Sequence, residues 1–200
     1  VTKVTDKVED VLSQITLDEG FSLEYNGERE NIITALTDML LMLLAGIVLV
    51  YLVMVGQFQS LKSPFIVMFT IPLAFTGGFL ALLIADMEVN LLSMLGFVML
   101  VGIIVNNGIV LVDYINQLRM NGMKRRAAIA EAAVTRLRPI LMTSITTILG
   151  LVVMALGQNE ATSFVQPLAV TCIGGLVYAT LMTLYVVPVM YAMFRKKPIR

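Results

Sequence analysis

Between Met39 and Val55 the chain runs without a charged residue, and four later stretches repeat the pattern. In hydrocarbon, every backbone N–H and C=O must be satisfied within its own segment. An apolar run of about 20 residues therefore has to be helical if it crosses a bilayer of ~30 Å. The runs fall at about 32–55, 64–85, 91–114, 139–156 and 165–194, so the expected fold class is an all-α transmembrane bundle of five membrane-spanning helices. Pro64 stands where a helix start tolerates proline, Pro72 predicts a kink, Pro139 opens the fourth span and Pro188 bends the end of the fifth.

Composition supports this and removes other classes. The chain is 58% hydrophobic and 14% charged, with a mean hydropathy of +0.88; soluble domains are about half apolar and about a quarter charged. A net charge of zero leaves no electrostatic footprint for nucleic acid. There is no histidine, and Cys172 is the single cysteine, which rules out a disulfide framework. No zinc ligand set, cofactor site or nucleophile–base pair can be assembled, so an enzyme is not expected. The glycines lie inside apolar helices with no following Lys-Ser/Thr, so a phosphate-binding loop for ATP is missing.

Residues 1–30 differ from the rest. Val4, Val8, Val11, Leu12 and Ile15 recur at helical spacing; Phe21, Leu23 and Tyr25 alternate like a strand that closes at Asn26-Gly27. One helix and one strand cannot bury a core, so this piece reads as a small α/β remnant of a larger extramembrane domain. The chain opens on Val1, and these observations together imply a longer parent protein. The expected organisation is 1–30 extramembrane, 31–195 transmembrane and 196–200 a tail.

Basic residues set the orientation. Lys62, Arg119, Lys124, Arg125, Arg126, Arg136, Arg138, Arg195, Lys196, Lys197 and Arg200 lie after the first and third spans or at the C-terminus. The other two connections carry Asp86, Glu88 and Glu160 instead. Positive charge marks the cytoplasmic side, which places the C-terminus inside and residues 1–30 outside. The connection 122–138 is alanine-rich and predicts a short helix at the membrane surface, either touching anionic lipid or simply solvated.

Polar residues inside a membrane are costly and usually face a bundle interior or a water path. Asn106 and Asn107 lie two-thirds along the third span. They read either as members of a proton or ion relay or as interhelical hydrogen-bonding groups, with at least one expected to pair across helices. Asp113 sits two turns from Asn106 on the same face, either as a solvated interfacial carboxylate or as a relay group. Thr143, Ser144, Thr146 and Thr147 cluster below Arg136 and Arg138; these arginines either snorkel to headgroups or offer a positive charge to a buried carboxylate. Gly77, Gly78, Gly96, Gly102, Gly108, Gly174 and Gly175 fit close helix packing.

Two strings carry a resemblance. Arg136-Leu-Arg-Pro-Ile-Leu-Met-Thr-Ser144 and Val101-Gly-Ile-Ile-Val-Asn-Asn-Gly-Ile-Val-Leu-Val-Asp-Tyr114, with Pro64, Pro72-Leu73 and Val187-Pro188, resemble resistance–nodulation–division efflux permeases of the acriflavine-resistance B type over essentially the whole chain. The resemblance implies the eighth to twelfth helices of a twelve-helix permease, preceded by the end of an extracytoplasmic porter region. It implies a multi-pass protein of the bacterial inner membrane, in contact with membrane lipid. Such a permease is a homotrimer exporting drugs or other amphiphilic compounds by proton antiport, with a periplasmic adaptor and an outer-membrane channel as candidate partners. In that family two aspartates on the fourth helix take up protons, opposite a lysine on the tenth helix and an arginine and threonine on the eleventh. Arg136 and Thr143 occupy the matching arginine and threonine positions, while Asn106 stands at the lysine position. Asparagine offers hydrogen bonds and no switchable charge, so the coupling ion and stoichiometry are left open. The rival readings are a non-transporting membrane scaffold, whose polar residues only hold helices together, and a related lipid or protein export component.

Overall fold

The computed structural model describes residues 28–157 and 159–194. They form α1 (Glu28–Phe58), α2 (Lys62–Met68), α3 (Thr70–Ile84), α4 (Leu91–Met120), α5 (Arg125–Ala155) and α6 (Glu160–Phe194). No strand occurs among the described residues. The helix expected over 4–15 and the strand over 21–25 lie outside them, so nothing in the described structure supports an α/β remnant. The chain divides into two compact units, Val1–Thr34 and Ala35–Arg200; the packing described below belongs to the second.

Among the described residues, five helical stretches are long and apolar enough to cross a membrane: Asn31–Phe58, Lys62–Ile84, Leu91–Met120, Arg125–Ala155 and Thr162–Phe194. The second is α2 and α3 in succession, interrupted at Phe69. Pro72 has no N–H for the Met68 carbonyl four residues back, so the helical ladder fails one turn before the proline. Thr70 responds locally by donating its hydroxyl to the Val67 carbonyl at 2.7 Å. The kink expected at Pro72 is thus a break at Phe69.

Pro139 behaves differently. Helix α5 passes through it unbroken, so the separate surface helix expected over 122–138 does not form; that stretch is the first part of one long helix. A helix continues across a proline when the freed carbonyl finds another arrangement, and polyalanine-rich flanks favour continuation. Helix α4 likewise runs past 114 to Met120 and stops at Gly122, whose φ of +85° suits glycine. Its start is fixed by a capping box: the Asn90 side chain accepts from the Ser93 N–H and Ser93 Oγ accepts from the Asn90 N–H, both at 2.9 Å.

Helix α6 is the hub, packing against α2, α3, α4 and α5. Its closest approach is to α3, where a Cβ on Gly77 would stand 2.8 Å from the Gly174 carbonyl oxygen and 2.5 Å from the Tyr178 Cβ. Small residues allow this backbone contact. Gly102 departs from the expected packing set, because nothing lies within 4 Å of the position its Cβ would take. At the far end of α5, Gln166 of α6 donates to the Ala155 carbonyl at 2.8 Å and closes the turn between the two helices.

Two apolar clusters fill the bundle. One includes Val67, Val101, Leu111, Ile115, Ile140 and Val187; the other includes Ala74, Leu82, Phe97, Leu100 and Leu176. Burial is uneven: 56% of the most apolar window of α4 is buried, against 11% in α1 and in α5. Helix α4 is therefore internal, while α1 and α5 turn most of their apolar surface outward. Lipid tails are as apolar as leucine, so such surface needs no protein cover in a bilayer.

Candidate functional site

Helices α4 and α5 are joined by the short turn 121–124 and run antiparallel. A cleft of about 330 Å³ opens between them, lined by Gly102, Ile103, Asn106, Asn107, Thr143, Ser144 and Thr147. The missing side chain of Gly102, whose Cβ would have nothing within 4 Å, leaves part of this space. Thr143 and Thr147, four residues apart, share one face of α5, and Asn106 and Asn107 face them from α4.

The hydroxyl protons are already committed. Thr143 Oγ1 donates to the Ile140 carbonyl at 3.0 Å and Thr147 Oγ1 to the Thr143 carbonyl at 2.9 Å. Both threonines therefore turn oxygen lone pairs, not protons, to their surroundings. Ser144 Oγ shares a 2.9 Å hydrogen bond with Thr180 Oγ1 of α6. Asn107 is buried and Asn106 exposed. Among the described residues neither carboxamide makes a side-chain hydrogen bond. The expected pairing of Asn106 or Asn107 across helices thus does not form among the described residues; the cross-helix bond at this cleft joins Ser144 to Thr180 instead, and the two carboxamides remain available.

Arg136 and Asp113 do not line this cleft. The Arg136 guanidinium lies over the ring of Tyr114, with Cζ 4.5 Å from the ring centroid. Its Nε is buried with no hydrogen-bond partner among the described residues. Asp113 instead accepts from Gln117 Nε2 at 2.8 Å. Antiparallel register explains the layout. Tyr114 follows Asn107 by as many residues as Arg136 precedes Thr143, two helical turns, or roughly 10 Å along the axis. The structure thus brings Asn106, Asn107 and Thr143 into one cleft and seats Arg136 two turns away on the same helix pair. Arg138 is exposed.

Residue-level reading missed a second polar group. Tyr191, fully buried on α6, donates to Asn116 Oδ1 at 2.6 Å and accepts from Arg119 Nη1 at 3.2 Å. The Arg119 Cζ also stands 5.7 Å from the Tyr191 ring centroid. The available signal was the run Asn116…Arg119 at a span's end, where polar residues need a partner from a neighbouring helix.

Comparison with known proteins agrees with this architecture. Residues 1–195 match the AcrB/AcrD/AcrF family. The chain is 38% identical over 201 residues to the swarming motility protein SwrC of Bacillus subtilis (strain 168), covering 98% of this chain and 19% of SwrC. It is 34% identical over 187 residues to the cobalt-zinc-cadmium resistance protein CzcA of Cupriavidus metallidurans, covering 94% of this chain and 18% of that protein. The crystal structure of a heavy metal efflux pump superposes with a TM-score of 0.82 at 27% identity, covering 98% of this chain and 20% of the pump. The chain spans about a fifth of the length of the relatives it matches. With its helices, its motif strings and these relatives in agreement, the chain belongs to the AcrB/AcrD/AcrF family of resistance–nodulation–division efflux permeases.

Proposed function

We propose that this chain forms part of the membrane domain of a proton-driven exporter of drugs or other amphiphilic compounds, and that Asn106, Thr143 and Arg136 take part in proton-linked helix movement. The observation that carries the reading is the α4–α5 helix pair itself. It presents uncommitted carboxamides and hydroxyl lone pairs in a cleft, and a cation with a buried, unpartnered Nε two turns away. Groups of this kind suit an incoming carboxylate that gains and loses a proton. Deprotonated, it pairs with the guanidinium; protonated, it releases it. Asn107 is a further candidate for the relay, and Asp113, held by Gln117, a peripheral one.

In this reading the protein is a homotrimer in the bacterial inner membrane. The basic ends of the spans and residues 196–200 are cytoplasmic, while residues 1–30 end an extracytoplasmic porter domain. Substrate recognition belongs to parts of the protein outside this chain, as do any contacts with a periplasmic adaptor and an outer-membrane channel. In the full-length protein, Arg136→Ala abolishes export driven by a proton gradient while leaving the oligomer intact. Unchanged export removes Arg136 from the mechanism.

A metal cargo is the second reading, favoured by the likeness to CzcA and to a heavy metal efflux pump. Among the described residues no three His, Cys, Asp or Glu side chains come together as a metal site, so a transported cation would be recognised elsewhere in the protein. Parallel export assays with ethidium and with Zn²⁺ separate the two cargoes.

A further inference from the structure

A cation inside a helix bundle is ordinarily neutralised by a carboxylate. Arg136 is not. The carboxylate next to its stacking partner in sequence, Asp113, is engaged by Gln117 at 2.8 Å. Arg138, on the same helix, is exposed and of like charge. What Arg136 has is a ring: Cζ lies 4.5 Å from the centroid of Tyr114, and both residues are half-buried. The two modes of holding a guanidinium differ in one respect. A carboxylate consumes N–H donors, usually two at a time, whereas the face of an aromatic ring attracts the cation through its quadrupole and consumes none. The buried Nε of Arg136, with its proton unclaimed, is what the second mode leaves behind.

We propose that Tyr114 is a positioning residue for Arg136, its ring face seating the guanidinium while keeping Nε–H available to an acceptor from a part of the protein outside this chain. The inference rests on the reading of Arg136 as a coupling residue and adds what holds it ready. The ring restricts the long arginine side chain to one place between α4 and α5, so an arriving acceptor meets an ordered donor. The Tyr114 hydroxyl has no part in this, which separates the ring face from a hydrogen-bonding role.

The test uses the full-length protein in everted vesicles energised by a proton gradient, with ethidium and Zn²⁺ as probes. Tyr114→Leu lowers the maximal export rate by about tenfold and leaves the half-saturating probe concentration unchanged. Tyr114→Phe, which keeps the ring, restores the rate. Added to Arg136→Ala, Tyr114→Leu has no further effect. Full rate in Tyr114→Leu, or equal loss in Tyr114→Leu and Tyr114→Phe, overturns the proposal. If Tyr114→Leu does not accumulate in the membrane, Tyr114→Met carries the same comparison, and full rate there overturns it equally. Undiminished export by Arg136→Ala, or export of neither probe by the unaltered protein, refutes instead the coupling reading beneath it.

Discussion

Ser144 of α5 and Thr180 of α6 share a 2.9 Å hydroxyl–hydroxyl hydrogen bond at 3% and 5% exposure, while Ser144 also lines the cleft facing α4. One small side chain thus forms both the wall of the candidate site and the tie to the hub helix. Displacement of α5 relative to α6 has to break this bond.

Loss of that tie is expected to be modest in energy. Interhelical hydrogen bonds in membranes average about 0.6 kcal/mol, because the separated helices also find partners. Ser144→Ala and Thr180→Val each lower stability by about that amount, and the double variant costs no more than either alone. Denaturant unfolding of the purified full-length protein measures this; strictly additive losses contradict the bond.

The α3–α6 contact predicts a much larger effect. A side chain on Gly174 meets the Gly77 carbonyl oxygen 2.8 Å away, which is backbone and cannot rotate aside. Gly174→Leu costs about 3 kcal/mol or more by overpacking and lowers both the melting temperature and membrane accumulation. Gly46→Ala, with nothing within 4 Å of the new atom, stays within about 0.5 kcal/mol.

Asn106 and Asn107 separate a relay from a scaffold. Neither carboxamide makes a side-chain hydrogen bond among the described residues, so the double replacement by leucine breaks no tie between helices, leaves the protein folded and abolishes proton-driven export. Retained export with reduced stability supports the scaffold reading instead. Thermal melts and vesicle export on the same preparations decide between them.

Tyr191 is expected to matter through its hydroxyl. It is fully buried and bridges Asn116 and Arg119, so Tyr191→Phe removes one hydrogen bond from each of them. Loss of a hydrogen bond costs about 0.5–1.5 kcal/mol net, read as a lower melting temperature. An unchanged melting temperature contradicts the bridge.

The apolar runs made the helices legible because length and the absence of charge alone decide them: Leu91–Met120 and Thr162–Phe194 stand close to where they were expected. Pro139 was misleading, since proline only removes one donor and its ring crowds one carbonyl, and whether a helix stops there depends on its flanks; helix α5 runs straight through. Pro72 acted one turn upstream of its own position for the same bonding reason. At the site, the motif strings singled out Asn106, Asn107 and Thr143 one by one; that they line a single cleft comes from how α4 and α5 pack. The seating of Arg136 on Tyr114 did not, because it depends on antiparallel register between α4 and α5, which no single helix's periodicity encodes. Gly102 likewise read as a packing glycine, although its open surroundings are a property of α5 as much as of α4.

All of this requires α4 and α5 to cross a bilayer, with the turn between them on the same side as the chain's basic tail. Single cysteines at Glu88, Lys124 and Lys197, in a Cys172→Ala background of the full-length protein, report this to a membrane-impermeant maleimide. Labelling of Glu88→Cys in intact cells, and of Lys124→Cys and Lys197→Cys only after the cells are opened, is the predicted result. Labelling that puts positions 124 and 197 on opposite faces contradicts the account.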